Sequence, residues 1–286
     1  MEISSLYLKA FYQLSQDKNF TKAAQSLAIT QSAFSHRIIN LEKDLETTLF
    51  IREKGNIQLT EAGEKLLRYC EKVYRLQEEV LESIYDEGAK DLVGTVRIGG
   101  FSSIHRSCIL PALAELMRDN PRLLLSSVSV EIGELMELMK SSKVDFVLSH
   151  KAPQINSIQA DFLGYEDNVL VESKKYKFSG HYLDHDSEDV TTNSYFKLKP
   201  ELDKKTKKRY LDDVYGLIDG VKLGLGRAVL PLHLIRHEKG LKILYPNTKL
   251  RVPLYLLYYK NSYHTQLELA VIKAITQYFK KQFGES

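Results

Sequence analysis

The run Gln31-Ser32-Ala33-Phe34-Ser35-His36-Arg37 puts short polar side chains and a guanidinium at the start of a helical pattern. Gln can address adenine with two hydrogen bonds, Ser can bond to several base edges or to phosphate, and Arg37 can reach guanine or phosphate. On an ordinary helix the same residues would be a solvated face, with Phe34 and Ile38 turned into the core. Further groups are suited to a nucleic-acid backbone: Thr21 and Lys22 in the preceding helical pattern, Thr30 just before Gln31, and Lys54 with Arg52 beside it in a turn. Thr30 also stands where an N-cap is needed. Arg52 can equally anchor its turn through a salt bridge.

A second group follows an extended run that ends in Gly99-Gly100-Phe101-Ser102-Ser103. Strand C-termini and helix N-termini are where α/β sheets collect ligands, anions above all. Ser102 and Ser103 offer hydroxyls and backbone N–H groups there, and they can also simply cap the helix. Ile132-Gly133 and Ser149-His150 hold the corresponding places after the next two strands. His105 and Arg106, one turn on, either favour an anion or lie on a solvated helix face.

Other chemistry is weaker. His181 and His185 stand four apart, a metal-ligand spacing on a helix, but the local pattern is not helical, and no metal is expected. The basic run of Lys204, Lys205, Lys207, Lys208 and Arg209 reads as a solvated loop. Cys108 has no evident resolving partner and reads as a buried structural thiol. With no nucleophile elbow, P-loop, dinucleotide fingerprint or clear metal motif, neither an enzyme nor a cofactor is expected.

The elements that must position these groups follow from periodicity. Leu6, Ala10, Phe11 and Leu14 mark a first helix, Phe20, Ala23, Ala24 and Leu27 a second capped by Asn19, and Ala33, Phe34, Ile38, Leu41 and Leu45 a third. Two short extended runs about Lys54-Gly55-Asn56 predict a hairpin. Thr60 can cap a long helix to about residue 87. Its seam of Leu66, Cys70, Val73, Gln77, Val80 and Ile84 suits either a partner helix or the chain's own domain. Beyond a boundary at residues 88–94, strands and helices alternate, as in a mostly parallel sheet covered by helices.

The 286 residues, 43% hydrophobic and 27% charged, are enough for a core without a metal or disulfide staple. A net charge of +3 is too small to argue for nucleic acid by itself. Two scattered cysteines fit a reducing compartment. With neither a leader pattern nor an apolar run near the ~20 residues that span a bilayer, a cytoplasmic protein with no membrane partner is expected.

The set Phe20-Thr21-Lys22-Ala23-Ala24, Leu27, Gln31-Ser32-Ala33-Phe34-Ser35, Ile38, Leu41-Glu42, Leu45, Leu49-Phe50, Arg52 and Leu59-Thr60-Glu61-Ala62-Gly63 resembles the LysR-type transcriptional regulators. The resemblance implies an α/β protein with an α-rich N-terminal winged helix-turn-helix over residues 1–60 and a linker (dimerisation) helix over 61–88. An effector-binding domain over 89–286 follows, resembling a periplasmic binding protein in its two α/β subdomains, I (89–160 and 264–286) and II (161–263). It implies sequence-specific binding to double-stranded operator or promoter DNA by a homodimer or homotetramer, with RNA polymerase as a further partner. A small-molecule effector would sit between the subdomains, where position adds Asn193 and Phe196 to the serines and strand ends named above. The alternative is an effector-independent architectural DNA-binding protein whose C-terminal half serves only oligomerisation. One departure stands out: Glu46 occupies the place after the third helix where the family usually has Gly, suggesting a helix that ends differently or runs on.

Overall fold

The computed structural model describes residues 3–53, 56–85, 92–129, 134–202, 207–260 and 264–283. The chain divides into two compact units, one of Met1–Gly94 with Met136–Val144 and the other of Thr95–Leu135 with Asp145–Ser286.

In the first unit, helices α1 (Ser5–Asp17), α2 (Phe20–Ser26) and α3 (Gln31–Asp44) precede a hairpin of β1 (Phe50–Glu53) and β2 (Asn56–Leu59) and a 25-residue helix, α4 (Glu61–Tyr85). Their apolar positions meet in one core: Ala10, Phe11 and Leu14 from α1, Ala23 and Ala24 from α2, Phe34, Ile38 and Leu41 from α3, Leu49 and Phe50, and Leu67 and Cys70 from α4. Asn19 Oδ1 accepts the Lys22 N–H at 3.0 Å, Thr30 Oγ1 the Ala33 N–H at 3.2 Å and Thr60 Oγ1 the Gly63 N–H at 3.0 Å. Each thereby satisfies an otherwise orphaned amide at a helix start. Gly63 is required by space, because a Cβ there would stand 2.3 Å from the Leu49 carbonyl oxygen.

Glu46 does not extend α3. The helix closes with Glu46 N–H donating to Lys43 O at 3.1 Å and Thr47 N–H donating to Glu42 O at 3.0 Å. This is the hydrogen-bond pair of a Schellman end, with Glu46 at φ +50 in the left-handed position. The expectation of a different or longer ending is thus corrected: Glu takes the conformation that glycine would adopt with less strain. Ala28 (φ +52) ends α2 by the same pattern, through Ala28 N–H to Gln25 O at 2.9 Å and Ile29 N–H to Ala24 O at 3.1 Å.

The first turns of helix α4 lie on the head, through buried Leu67 and Cys70, partly buried Ala62 and Leu66, and Tyr74 edge-on to Tyr12 at 4.8 Å. Farther along, Val80 and Leu81 are 54% and 49% exposed.

The second unit is built on one curled nine-stranded sheet. Its first lobe holds β3 (Gly94–Gly100), β4 (Leu123–Ser129) and β5 (Phe146–Ser149), with α5 (Ser102–Ile104), a π-helical turn (His105–Ile109) and α6 (Leu110–Asp119) following β3. The short helix α7 (Leu135–Lys140) falls between β4 and β5 in the chain. The second lobe holds β7 (His181–Asp184), α8 (Thr191–Leu198), β8 (Lys207–Tyr210), α9 (Val214–Lys222), β9 (Arg227–Pro231), α10 (Leu232–Ile235) and β10 (Leu241–Leu244). Two long strands, β6 (Ile158–Ser173) and β11 (Leu250–Tyr259), run antiparallel through both lobes, with a register shift between Leu254 and Tyr255. Gly164, opposite Leu254, has φ +135, and a Cβ there would stand 2.8 Å from the Phe283 carbonyl oxygen. Helix α11 (Gln266–Phe283) closes the first lobe, burying Leu267, Val271, Ile275 and Phe279 against α6 and β6.

Lys207, Lys208 and Arg209 are not loop residues. They form β8, parallel to β7, with Lys208 Nζ 2.6 Å from buried Asp184 and Arg209 donating to Leu225 O at 2.8 Å. Lysines on an edge strand discourage pairing with other sheets. Lys204 and Lys205 lie outside the described residues. Among the described residues no helix is long and apolar enough to cross a membrane, and no cluster of His, Cys, Asp and Glu is arranged to hold a metal.

Candidate nucleic-acid interface and ligand cleft

Helix α3 separates its two faces cleanly. Phe34, Ile38 and Leu41 are fully buried, whereas Gln31, Ser32 and His36 are exposed and Ser35 and Arg37 half-exposed. Thr21 on α2 is exposed and reaches across the turn, its hydroxyl donating to Gln31 Oε1 at 3.4 Å. Lys22, 68% exposed, pairs with Asp17 at 3.2 Å, leaving most of its ammonium available to solvent. Thr30 caps α3 and is exposed as well. Arg52 anchors the hairpin by another route than a salt bridge: its guanidinium lies 4.6 Å over the Phe20 ring, which is edge-on to Phe34 at 5.9 Å. The hairpin is thereby tied to α2 and α3, the two helices that carry the exposed polar groups. Lys54 lies outside the described residues. Glu42 performs a structural role that the sequence pattern did not specify, its Oε1 accepting the Leu49 and Phe50 N–H groups at 2.8 and 3.3 Å and so fixing where the hairpin begins.

In the second unit, Ser102 is exposed and Ser103 nearly buried at the end of β3, and Ser149 and His150 follow β5. Ile132 and Gly133 lie outside the described residues. Asn193 is exposed on α8, but Phe196 is a core residue, 3% exposed and edge-on to Tyr182 at 5.0 Å. The expectation that Phe196 faces a cleft is therefore corrected by its packing with Leu170, Tyr182, Tyr195 and Val229. His105 follows neither of its two readings. It is 6% exposed, with Nδ1 2.7 Å from Ser127 Oγ and Nε2 3.2 Å from Val128 O, and burial lowers its pKa. It fastens the π-helical turn to β4. Arg106 remains exposed and lies 4.6 Å over the ring of Tyr215, at the start of α9 in the other lobe.

A buried polar cluster centres on Glu166, a residue outside the candidates named from the sequence. Glu166, on β6 two residues past Gly164, is 3% exposed. His233 Nε2 stands 2.7 Å from its Oε1 and His150 Nε2 3.3 Å from its Oε2. Burial is the strongest influence and pushes the Glu166 pKa up, but the hydrogen bonds and charge of His150 and His233 together outweigh it and hold the carboxyl at about 2. Phe101 stacks beside His150 at 4.6 Å, and His233 Nδ1 meets Ser107 Oγ at 2.9 Å. The cluster joins residues between 16 and 126 positions apart, which no local pattern reveals. One signal was available: an acidic residue in the inward register of a strand, in step with Asn168 and Leu170. Both cysteines are buried, their thiols pushed up to about 12 mainly by burial, as expected for structural rather than reactive groups.

Residues 7–64 match the family model described as "Bacterial regulatory helix-turn-helix protein, lysR family", and residues 89–189 match "LysR substrate binding domain". Together these models take in more than half of the chain. The chain belongs to the LysR-type transcriptional regulator family. Curated relatives of this LysR-type chain include the HTH-type transcriptional regulators HdfR of Shigella boydii and Escherichia coli, each 32% identical over 181 residues. The match takes in 60% of this chain and spans 62% of the length of those relatives. Full-length LysG of Corynebacterium glutamicum with bound effector Arg shares the fold, with a TM-score of 0.78 at 17% identity over 97% of this chain and 98% of that one. So does ArgP of Mycobacterium tuberculosis, with 0.77 at 18% over the same shares. Vibrio fischeri DarR in complex with DNA gives 0.53 at 20%, over 96% of this chain and 99% of its own. These likenesses establish the LysR-type fold: a winged helix-turn-helix followed by a two-lobed α/β domain.

Proposed function

We propose that the chain is a sequence-specific, DNA-binding transcriptional regulator whose activity is set by a small molecule bound between the two lobes of its C-terminal half. Residues 1–60 are the DNA-binding head, 61–88 the helix that pairs two copies, and 89–286 the effector domain. The observation that carries the reading is α3, which presents Gln31, Ser32 and His36 to solvent at its first turns while Phe34, Ile38 and Leu41 hold it in the core. That arrangement suits entry into a major groove, with Thr21, Lys22, Thr30 and Arg52 placed for the flanking backbone. The exposed Val80 and Leu81 on α4 suit pairing with a second copy. The effector contacts are Ser102, Ser103, Ser149, His150 and Asn193, joined by Ile132 and Gly133. LysG, bound to the effector Arg, and DarR, bound to DNA, support the same two roles. The protein works in the cytoplasm, performs no catalysis itself, and meets RNA polymerase at its promoters.

The test is to capture genomic DNA fragments on the full chain, footprint them, and repeat the footprint across a metabolite panel. A footprint that changes with one class of metabolite is expected. Bound DNA with no response to any metabolite would point instead to an effector-independent architectural protein.

A further inference from the structure

One pole of the second lobe combines apolar side chains with a one-sided charge. Residues 174–180, between β6 and β7, are all exposed, and they meet the turn from α9 to β9. Together the two segments present Tyr176, Phe178, Leu223 and Leu225 to solvent, Leu223 at 64% exposure. The patch is held in shape by its own hydrogen bonds. Ser173 Oγ accepts the Lys175 and Tyr176 N–H groups at 3.2 and 3.3 Å, and Ser179 Oγ donates to Leu225 O at 3.1 Å. Tyr176 lies directly on Gly224, where φ is +76 and a Cβ would stand 2.5 Å from the Tyr176 Cβ. Phe178 is edge-on to Tyr182 at 5.5 Å.

The charge around the patch is positive. Exposed Lys174, Lys175 and Lys177 belong to the segment itself, Arg209 Nη1 donates to Leu225 O at 2.8 Å, and exposed Lys207 stands opposite His181 on β8. The carboxylates of the flanking elements are engaged by other cations: Glu172 by Arg227 and Lys242, both at 2.6 Å, Asp184 by Lys208 at 2.6 Å, and Glu238 by Lys222 at 2.5 Å. Lys174, Lys177 and Lys207 therefore have no carboxylate partner among the described residues. A fixed apolar patch rimmed by charge marks a place for a partner, and this rim calls for an anionic one. Nucleobases are poorly served, because Lys175 Nζ lies 5.1 Å over the Tyr176 ring and the Arg227 guanidinium 4.0 Å over the Phe178 ring, covering faces on which a base would stack. The two leucines offer nothing to phosphate. An acidic helix with apolar side chains among its carboxylates fits both parts of the patch.

This chain carries such a helix. Glu78-Glu79-Val80-Leu81-Glu82-Ser83-Ile84-Tyr85-Asp86-Glu87 has five carboxylates and no Lys or Arg. Within α4, positions 78, 81, 82 and 85 fall at the i, i+3, i+4, i+7 spacing of one helical face, and Glu78 and Leu81 are exposed. That face is distinct from the seam of Val73, Gln77, Val80 and Ile84 that suits helix pairing. The other acidic stretch, residues 184–189, has no large apolar residue.

We propose that the basic, apolar pole of the second lobe docks on the acidic face of α4 in a second copy of the chain. The lysines meet Glu78 and Glu82, and Leu81 joins the apolar patch. Four apolar side chains are far fewer than the about 20–30 residues a side of a free-standing interface. The contact therefore operates between copies already joined, where local concentration is high, and it rests on the proposed pairing of two copies through α4.

The test uses the full-length protein with Leu223→p-benzoylphenylalanine, irradiated alone and with added duplex or single-stranded DNA. Denaturing gels report covalent two-chain products, mass spectrometry maps the joined peptides, and sedimentation gives the copy number before irradiation. A two-chain product joining position 223 to residues 78–87 is expected. Lys175→Glu with Lys177→Glu should lower its yield about tenfold, and adding Glu78→Lys with Glu82→Lys should restore it. Cross-linking to the added DNA, an oligomer that gives no such product, or a yield indifferent to the charge swap would overturn the proposal and leave pairing through α4 intact. A chain that sediments as a monomer would overturn both.

Discussion

Replacing Glu46 with Gly should stabilise the DNA-binding head, although Glu46 is exposed and the replacement deletes an entire side chain. Glu46 stands at φ +50 and is held there by two backbone hydrogen bonds that end α3. An L-residue in that region is disfavoured by about 1–2 kcal/mol because its Cβ crowds the following carbonyl. Glycine escapes that crowding but loses about 0.5–1 kcal/mol more backbone entropy on folding. The difference leaves a net gain of about 0.5–1 kcal/mol for Glu46→Gly. Glu46→Ala keeps the Cβ and should gain nothing. The same logic applies to Ala28→Gly in the turn between α2 and α3, where φ is +52. The assay is hydrogen exchange of the full chain, read by mass spectrometry on fragments covering α3 and the hairpin. The slowest amides of α3 should open less often in the Gly variant and as often as wild type in the Ala variant. Equal effects of Gly and Ala, or a loss with Gly, would refute the conformational argument.

Four further outcomes follow from the geometry. Gly63→Ala should destabilise the head by about 1–3 kcal/mol, because the new methyl group meets the Leu49 carbonyl oxygen, as checked by thermal unfolding. Thr30→Ala removes the cap of α3 and should cost about 1 kcal/mol of head stability in the same experiment. The Glu166 carboxyl is held low in the folded chain, so its contribution is present above the ordinary carboxylate range and is lost as pH falls toward about 2; Glu166→Gln should flatten that part of the acid-unfolding curve. Lys22→Ala should weaken DNA binding almost equally for all sequences and lower the salt slope by about one counterion, as read by fluorescence anisotropy across a salt series.

Much of the head was legible because its signals are local. Asn19, Thr30 and Thr60 are short polar residues before apolar repeats, and each accepts the amide expected of it. Phe34 and Ile38 share a face at helical spacing, and both are buried. What failed was conformation without its usual residue: Ala28 and Glu46 occupy left-handed positions that sequence reasoning assigns to glycine. In the α/β unit, strand and helix alternation was readable, but the expected mostly parallel sheet is mixed, because the long strands β6 and β11 pair antiparallel with each other and with β5, β9 and β10, and side-chain direction depended on distant partners. His105 looked like a surface residue because Ser127 and Val128, which bind it, lie on another strand. Phe196 looked available because the aromatic partner that buries it, Tyr182, belongs to β7. Glu166 and His233 went unremarked because neither means anything until β6 and α10 are brought together.

The most direct measurement is selection of DNA by the full-length protein from a randomised duplex library, run in parallel with Gln31→Ala. The wild-type chain should enrich two related half-sites at a spacing set by helical turns, and Gln31→Ala should lose discrimination at one base position per half-site, by about 1–3 kcal/mol, while the other positions stay intact. Enrichment of no sequence by the wild-type chain, or an unchanged preference at every position in the variant, would contradict the assignment of α3 as the reading helix.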